Sequence, residues 1–442
     1  MEEKQLIELL EARKFKELKE ALENIHPFDI AELLEELDDK QMILVFRLLA
    51  KDEAAETFTE MNSDMRETLL NALTDSEIKE FMDEMYLDDT ADVLEEMPAN
   101  VVDRLLLATD EERRKQINTL LNYPEDSAGS IMNVDYIAFH KEMTVEEAIL
   151  KIRQVGLNRE TIYTCYVLEK RKLIGVITLR ELLTSGDTRT IEEIMEVNVP
   201  YVNTHDDQEY VVSLISNYNL VAIPVVDNDM RMVGIVTVDD AMDVMEEEAT
   251  EDMSMMAGIV SNEDSYFETS VWNHAKSRFP WLLFLMLSAT LSGLALGSFE
   301  KVLLAMPILN TFVPMLTGTG GNCGSQSSTL MIRGLATEEI EFKDIFRVLF
   351  KELRVGVLVG AMLAIVNGIR VMIMYSGNIM LAVTLGITLI CTVSLAKVIG
   401  CVLPLIAKKV GLDPALMAAP LITTLVDTGT IILYFSIATR IM

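Results

Sequence analysis

Residues 423–435 read TTLVDTGTIILYF, and they decide how the rest of the sequence is interpreted. They lie in an apolar segment, residues 415–441, that is long enough to cross a lipid bilayer. Asp427 falls inside this segment. A charged side chain there costs about 3 kcal/mol on insertion-based scales, and it indicates a functional site by default. Two purely structural roles are also open: an aspartate neutralised by Lys397, or a protonated aspartate that bonds a neighbouring helix.

The charged residues divide the chain into two parts. The 442 residues carry a formal net charge of −33. Residues 271–442 contain 13 Lys and Arg against 8 Asp and Glu, whereas residues 1–270 contain 24 against 62. An acidic soluble part is therefore joined to an apolar, slightly basic part. Nucleic-acid binding requires a basic face, so the composition argues against it and favours either simple solubility or cation binding.

The apolar part, residues 276–442, is predicted to be a membrane domain with five helical spans, at residues 280–298, 302–331, 348–374, 378–407 and 415–441. The second and fourth spans are long and contain Pro and Gly, so they are expected to be broken or tilted. Most Lys and Arg precede the first span, separate the second from the third, or precede the fifth. The positive-inside rule makes this side cytoplasmic. We therefore expect a multi-pass protein of the inner (plasma) membrane, with its N-terminus in the cytoplasm and its C-terminus outside.

The first module of the acidic part is residues 1–126, which we predict to be all helical. Apolar residues recur there at helical spacing, and DIAELLEEL from Asp29 is echoed by DTADVLEEM from Asp89. Repeated helix pairs that stack into a superhelix are the natural inference. Asp is a favoured N-cap residue, so Asp29 and Asp89 are expected to begin their helices.

The second module, residues 127–238, contains a β-hairpin followed by a helix twice. Gly175 of LIGVITLREL matches Gly234 of MVGIVTVDDA, and Met132 matches Met195. Residues 239–275 are predicted to form a connecting helix followed by a polar stretch. The acidic residues of this connector share helical faces, which would repel one another unless something neutralises them. They are Asp240, Asp243, Glu248, Glu251 and Asp252.

The chemistry of Asp427 limits its ligand to a cation, because an ionised carboxylate only accepts hydrogen bonds. The spans hold no set of His and Cys ligands, and a hydrated Mg²⁺ suits one carboxylate per chain. Residues 310–334 add a run of glycines, hydroxyls and amides that includes Asn322. Close helix packing and a hydrated path both account for this run, and its many polar groups favour the path.

Two segments carry a family resemblance: PMLTGTGGNCGSQSSTLMIRG, and GLDPALMAAPLITTLVDTGTIILYF near the end of the chain. Both resemble the MgtE-type magnesium channels, and the HPFDIAELLEEL opening, the repeats and the EEEATED connector follow in the same order. The two repeats resemble a tandem cystathionine-β-synthase-type (CBS) module, which often binds adenine nucleotides or ions. ATP is therefore a candidate ligand, although no single residue secures it.

The resemblance implies a homodimer whose second and fifth spans line a Mg²⁺ pathway, with Asp427 holding a hydrated ion and the connector acting as a plug helix. It implies regulatory Mg²⁺ sites on the acidic residues of the connector and at Asp207, Glu209, Asp89 (or Asp88) and Asp413. Asn219 stands where the family can have an acidic residue, so this chain departs from the pattern at that contact.

Gating follows from the charge alone. Divalent cations that bridge acidic faces would favour a compact, closed state, and their loss would let the carboxylates repel and the channel open. Two alternatives stay open: a secondary transporter that couples Mg²⁺ to Na⁺ or H⁺, and a membrane-anchored CBS sensor. An enzyme is not expected, because the sequence has no phosphate-binding loop, nucleophile–base grouping or hydrolase metal motif.

Overall fold

The computed structural model describes residues 3–260, 266, 269–337, 339–417 and 419–442. The chain divides into two compact units, Met1–Glu247 and Glu248–Met442, and each is treated by itself. The predicted fold class is confirmed: helical N-terminal domain, CBS pair, connecting helix and helical C-terminal region follow one another along the chain.

Ten short helices form the N-terminal domain, as the apolar spacing predicts. They are α1 (Glu3–Glu11), α2 (Phe15–Leu22), α3 (Pro27–Glu35), α4 (Asp39–Phe46), α5 (Lys51–Thr59), α6 (Ser63–Ala72), α7 (Asp75–Met82), α8 (Leu87–Glu96), α9 (Ala99–Ala108) and α10 (Glu111–Leu120). Alternate helices pack on one another, α3 on α5, α5 on α7 and α7 on α9, which is the arrangement of a superhelix. Phe46, Phe58 and Phe81 meet edge to face or tilted in its core.

The expected N-caps are wrong by a few residues. His26 caps α3, where its ring accepts a hydrogen bond from the Phe28 N–H, and Pro27 begins the helix, so Asp29 lies in the first turn. Tyr86 occupies the N-cap position of α8, and Asp89 again lies one turn inside. Proline is favoured at the first helical position, which moves the start of α3 upstream. The carboxylate of Asp89 is thus not used as an N-cap.

The CBS pair is built from two three-stranded sheets of the same topology. Its elements are β1 (Ala138–Phe139), α11 (Val145–Val155), β2 (Thr164–Glu169), β3 (Lys172–Thr178), α12 (Leu179–Thr184), β4 (Val202–Asn203), α13 (Gln208–Tyr218), β5 (Ala222–Val226) and β6 (Met232–Thr237). The order is β1-β2-β3 in one sheet and β4-β5-β6 in the other. In each sheet the first pair is parallel and the second antiparallel.

The repeated Met and Gly residues are explained by one contact that occurs twice. A Cβ at Gly175 would lie 2.8 Å from Met195 Sδ, and one at Gly234 would lie 2.8 Å from Met132 Sδ. The added Cβ would also lie 3.0 Å from the Glu196 carbonyl oxygen in one copy and 2.8 Å from the Asn133 carbonyl oxygen in the other, so both positions favour glycine. The residues around each methionine also bridge to the adjacent strand, Glu196 to Val176 and Asn133 to Ile235.

The connecting helix α14 (Val238–Met256) begins directly after β6. It is continuous across the boundary of the two units, so it joins them covalently with helical backbone. The expected polar stretch that follows includes residues 261–265 and 267–268, which lie outside the described residues.

The membrane unit contains α15 (Val271–Ser298), α16 (Glu300–Ala305), α17 (Val313–Ala336), α18 (Ile345–Met374), α19 (Ile379–Val410) and α20 (Ala419–Ile441). Among the described residues, four helical segments are long and apolar enough to cross a membrane: Val271–Ser298, Phe342–Met374, Ile379–Val410 and Pro414–Ile441. Helix α17 has 24 residues but carries the polar run. It packs against α19 and α20 within the same unit.

The second and fourth spans were expected to be broken or tilted, and the second is broken. Residues 302–331 do not form one helix, because α16 ends at Ala305 and a 3₁₀ turn, Pro307–Phe312, precedes α17. Pro307 supplies the predicted break, since proline removes a backbone donor and cannot continue a helix. The fourth span is not broken, since α19 runs for 32 residues through Pro404, and tilting of this span stays a prediction.

Side-chain contacts give the relative directions of the long helices. Ser292 of α15 and Phe299, which directly follows this helix, meet Thr428 and Phe435 of α20 in the same order, so α15 and α20 are parallel. Helix α17 runs opposite to α18 and α20, and α19 runs opposite to α18. The five long helices therefore alternate in direction along the chain.

Candidate functional site

Asp427 lies one third of the way along α20 and is half-buried. Three threonines flank it on the same helix. Their hydroxyls donate to the helix backbone, Thr423 and Thr424 to the Pro420 carbonyl at 2.8 and 3.2 Å and Thr428 to the Thr424 carbonyl at 3.1 Å. Hydroxyls bonded in this way keep acceptor lone pairs available beside the carboxylate. The Thr428 hydroxyl also lies 2.8 Å from Ser292 Oγ, which links α20 to α15.

Lys397 does not neutralise Asp427. Its Nζ lies 3.6 Å from Glu352 Oε2 on α18, and both side chains are buried. Within the described ranges, Asp427 takes part in no ion pair. The proposed pairing of Lys397 with Asp427 is therefore wrong, because packing places Lys397 next to another helix.

The polar run of α17 is divided between two faces. Gly320, Gly321 and Gly324 are buried, and a Cβ on any of them would meet side chains of α20 at 2.6 to 2.9 Å. Asn322 and Gln326 lie on the opposite face and are exposed. Close packing is therefore confirmed on the buried face of α17, whereas the exposed amides on the other face leave the hydrated path a prediction.

An exposed amide face is unusual for a helix packed among membrane-spanning segments. Polar groups at membrane depth are stable only against protein or water. We call the exposed residues Gly318, Asn322, Gln326 and Thr329 the polar stripe of α17. A Cβ at Gly318 would meet nothing within 4 Å, so the stripe borders open space in the single chain.

A second cluster lies in the cytosolic unit, where α8, the loop before β2 and the start of α14 converge. Burial, and next the neighbouring Asp240, raise the pKa of Asp89 to about 6. Burial likewise raises the pKa of Glu160 to about 7, with Asp240 the next cause. The pKa of Asp88 is raised well above its usual range by burial and by Asp89, and its Oδ1 has no hydrogen-bond partner among the described residues. Four carboxylates in one half-buried cluster require protons or a cation to neutralise them.

Three hydrogen bonds hold two members of this acidic cluster in place. The Thr237 hydroxyl donates to Asp240 Oδ2 at 2.5 Å. Asp240 Oδ2 accepts from the Thr237 N–H at 3.2 Å at the start of α14, and Glu160 Oε2 accepts from Asn133 Nδ2 at 2.9 Å. Burial also raises the pKa of Asp240, against these bonds to Thr237. The carboxylates are therefore oriented while keeping other oxygens available to a ligand.

The membrane unit contains a smaller acidic pair. Burial and then Asp413 raise the pKa of Asp252 on α14 to about 6. Asp413 Oδ1 accepts from the Ala415 N–H at 2.6 Å, which fixes the carboxylate in the turn before α20. The family resemblance implied a regulatory role for each of these residues, and the Asp413 carboxylate is close enough to influence Asp252.

The other predicted ligands are more dispersed. Asp243 is exposed, and partial burial of its carboxylate, followed by Asp239, raises its pKa. Glu248 and Glu251 lie on the next turns of α14 and have interactions of their own. Asp207 caps α13 by accepting from the Glu209 N–H at 2.9 Å, and both residues lie at the start of that helix near its solvent-facing side.

The structure explains why position 219 holds asparagine where the family can have an acidic residue. Asn219 ends α13 in the left-handed conformation, with φ 51°, which asparagine tolerates better than most residues.

Within the described part of the chain, no three His, Cys, Asp or Glu side chains converge into a ready metal cage. Loose carboxylate sets suit Mg²⁺, which keeps several waters and takes only one or two carboxylates.

Comparisons with known proteins cover every part of this arrangement. A family model described as a divalent cation transporter matches residues 313–437, the MgtE intracellular N domain matches residues 25–126, and CBS domains match residues 128–186 and 191–247. The magnesium transporter MgtE of Thermus thermophilus is 38% identical over 99% of this chain and 98% of its own length. That of Bacillus subtilis is 33% identical over 98% and 96%.

This chain belongs to the MgtE family. Solved relatives support the cytosolic fold: the cytosolic domain of the Mg²⁺ channel MgtE in complex with ATP has a TM-score of 0.52 and 38% identity, covering 54% of this chain and 98% of that one. The soluble part of a magnesium transporter has a TM-score of 0.53 and 30% identity, covering 56% and 98%. MgtE proteins are transporters, so the expectation that the chain is not an enzyme is confirmed.

Sequence reasoning missed two residues that the MgtE fold brings into these sites. Glu160 lies in a CBS repeat, far in sequence from Asp89 and Asp240, and no motif marked it. Glu352 lies near the start of α18, where several basic residues precede and follow it. The sequence pattern therefore did not distinguish it from ordinary surface charges. The available signal was the same as for Asp427, because Glu352 also lies within a predicted apolar span, residues 348–374.

Proposed function

We propose that this chain is a Mg²⁺-selective channel that mediates magnesium uptake and is closed by Mg²⁺ on its cytosolic side. One observation carries the proposal: a polar stripe on α17 and Asp427 on α20, which has no ion pair among the described residues, occur in a unit of apolar helices. An apolar bilayer stabilises neither exposed amides nor a carboxylate without an ion pair. A hydrated divalent cation is stabilised by both. The magnesium transport named for relatives of full length supports the choice of ion.

We propose that two copies form the path. The stripe of Asn322 and Gln326 is open on one side in the single chain, and a second copy related by two-fold symmetry would close it. Asp427 from each copy would then hold one hydrated Mg²⁺ near the axis. The alternating helix directions and the basic loop between α17 and α18 support a cytoplasmic N-terminus and an external C-terminus in the plasma membrane.

For regulation, we infer that Mg²⁺ binds the acidic cluster of Asp88, Asp89, Glu160 and Asp240 and the Asp252–Asp413 pair. Cation binding removes the repulsion within each group, so it stabilises the conformation that brings the carboxylates together. Helix α14 carries residues of both groups, Asp240 near its start and Asp252 near its end. One continuous helix, α14, therefore runs from the acidic cluster into the membrane unit.

The remaining predicted sites are proposed on fewer observations. Asp207 and Glu209 at the start of α13 are proposed as a peripheral Mg²⁺ site. ATP is proposed as a ligand of the CBS pair, supported by the ATP complex of the 38% identical cytosolic domain.

The deciding experiment is Mg²⁺ flux into proteoliposomes with Asp427→Ala and the isosteric Asp427→Asn. Both should lower flux by about tenfold or more, since that factor corresponds to only ~1.4 kcal/mol of lost ion stabilisation. The control is Glu300→Gln, an exposed acid of the same unit that lies on α16. Equal flux in the Asp427 variants and the parent would refute the proposed path.

The same preparation separates the two alternatives. A flux that requires a Na⁺ or H⁺ gradient identifies a secondary transporter with Asp427 as its relay. The absence of any flux from the parent protein leaves a CBS-based sensor.

A further inference from the structure

Three polar side chains from three helices meet inside the membrane unit. The hydroxyl of Ser327 on α17 donates to Glu352 Oε2 on α18 at 2.6 Å and accepts from Lys397 Nζ on α19 at 3.1 Å. Lys397 and Glu352 are also 3.6 Å apart. All three residues are buried, with Ser327 completely inaccessible. We call this group the charged clasp.

The clasp is not needed for close packing at this level. A Cβ at Gly400 of α19 would collide with the Gly324 carbonyl of α17, and a Cβ at Gly356 of α18 would lie 2.9 Å from Ser394 Cα of α19. Glycine contacts of this kind already bring the three helices together. Burying two charges next to them is costly, and well-packed apolar residues would give equal or greater stability. The charges therefore contribute something other than cohesion.

Glycine contacts fix the rotation of a helix only within a range. Gly320, Gly321 and Gly324 turn one face of α17 toward α20, but a contact without side chains still tolerates small rotations. A serine hydroxyl that donates to one charged group and accepts from another has a single orientation that satisfies both. Only one rotation of α17 places Ser327 between Glu352 and Lys397.

We propose that Glu352 and Lys397 are positioning residues that act through Ser327 to fix the rotation of α17. That rotation decides which way the polar stripe points. Asn322 is five residues from Ser327, roughly 140° around the helix at about 100° per residue, so the buried clasp holds the stripe on the far side.

The test measures the rotation of α17 directly, in the full-length protein in lipid vesicles without Mg²⁺. Single cysteines at Asn322, which is exposed, and at Met331, which is buried, report on opposite faces, because nine residues place them about half a turn apart. The reagent is a small, positively charged methanethiosulfonate. The parent without either reporter gives the background of the four native cysteines, of which Cys165, Cys323 and Cys401 are buried.

Ser327→Ala removes both hydrogen bonds and leaves the Glu352–Lys397 ion pair to preserve folding. We expect it to slow labelling at position 322 and speed labelling at position 331, each by about tenfold, the factor that one hydrogen bond to a charged group supplies. The matched control is Ser328→Ala, a buried neighbour whose hydroxyl donates to the Met417 carbonyl at 3.3 Å and touches neither charge. It should label like the parent.

Three outcomes overturn the proposal. Unchanged rates in Ser327→Ala show that the clasp does not set the rotation, and equal effects of Ser327→Ala and Ser328→Ala show general loosening. A rise at both reporters shows loss of packing rather than rotation. The inference gives the proposed ion path a positioning element, but labelling needs no Mg²⁺ flux, so a failure of the channel proposal and a failure of the clasp are distinguishable.

Discussion

Lys397 Nζ lies 3.6 Å from Glu352 Oε2, although nothing in the sequence joins these residues. The pair connects α18 to α19 and leaves Asp427 as the membrane carboxylate without a basic partner among the described residues. Two carboxylates in similar apolar spans thus have opposite roles: Glu352 is held by a lysine, while Asp427 is available to a cation.

The first prediction concerns this buried pair. Glu352→Gln leaves an uncompensated ammonium group in an apolar site, which should lower the free energy of unfolding by about 3 kcal/mol. The double variant with Lys397→Met should lose clearly less, because no charge remains buried. Denaturant titration of the purified protein in detergent measures both.

The control for this comparison of single and double variants is the exposed ion pair Lys343–Glu341, whose charged atoms are 2.6 Å apart. Glu341→Gln should change the free energy of unfolding by at most about 1 kcal/mol, as usual for surface pairs. A double variant as unstable as Glu352→Gln alone would contradict the reasoning.

The second prediction is a pH dependence in the absence of Mg²⁺. The folded pKa values of Asp89 and Glu160, about 6 and about 7, lie above the ordinary values of 3.8 and 4.5. The folded state therefore binds more protons than the unfolded state, and stability must fall as pH rises through this window. The melting temperature of the chelator-treated protein should drop between about pH 4 and pH 7 because of these two groups.

Asp89→Asn and Glu160→Gln together should flatten that slope, since amides do not titrate. Added Mg²⁺ should restore the melting temperature of the parent at pH 7 and have a smaller effect on the double variant. The same slope in parent and variant would show that these two carboxylates are not the source.

The third prediction concerns closure. Neutralising Asp240, Asp243, Glu248, Glu251 and Asp252 by amide substitution should leave the channel open at millimolar Mg²⁺, because the amides no longer bind the bridging ion that stabilises the closed state. Patch recordings with stepped cytosolic Mg²⁺ measure the closing concentration. The comparison is Asp206→Asn and Asp229→Asn, two acids of the second CBS repeat outside these groups. Normal closure of the quintuple variant would reject the regulatory role of the connector.

Much of the fold could be predicted from local patterns in the sequence. Helical spacing predicted the helices before residue 126, the repeated Met and Gly positions predicted two matching CBS halves, and the apolar segments predicted the long helices of the membrane unit. The N-caps at Asp29 and Asp89 were misplaced because a proline two residues earlier begins α3 and a tyrosine precedes α8. The sequence left open whether the fourth span is broken or tilted, and the structure shows that Pro404 does not break α19.

The sequence by itself determined the order of the modules, the charge division and the presence of one aspartate in the last apolar helix. Each of these is a property of neighbouring residues, and periodicity or composition reports it directly. Only the tertiary structure decided that Lys397 belongs to Glu352, that Glu160 joins Asp89 and Asp240, and which face of α17 exposes Asn322. These are contacts between distant segments, fixed by how the helices pack and rotate, and no local pattern encodes that rotation.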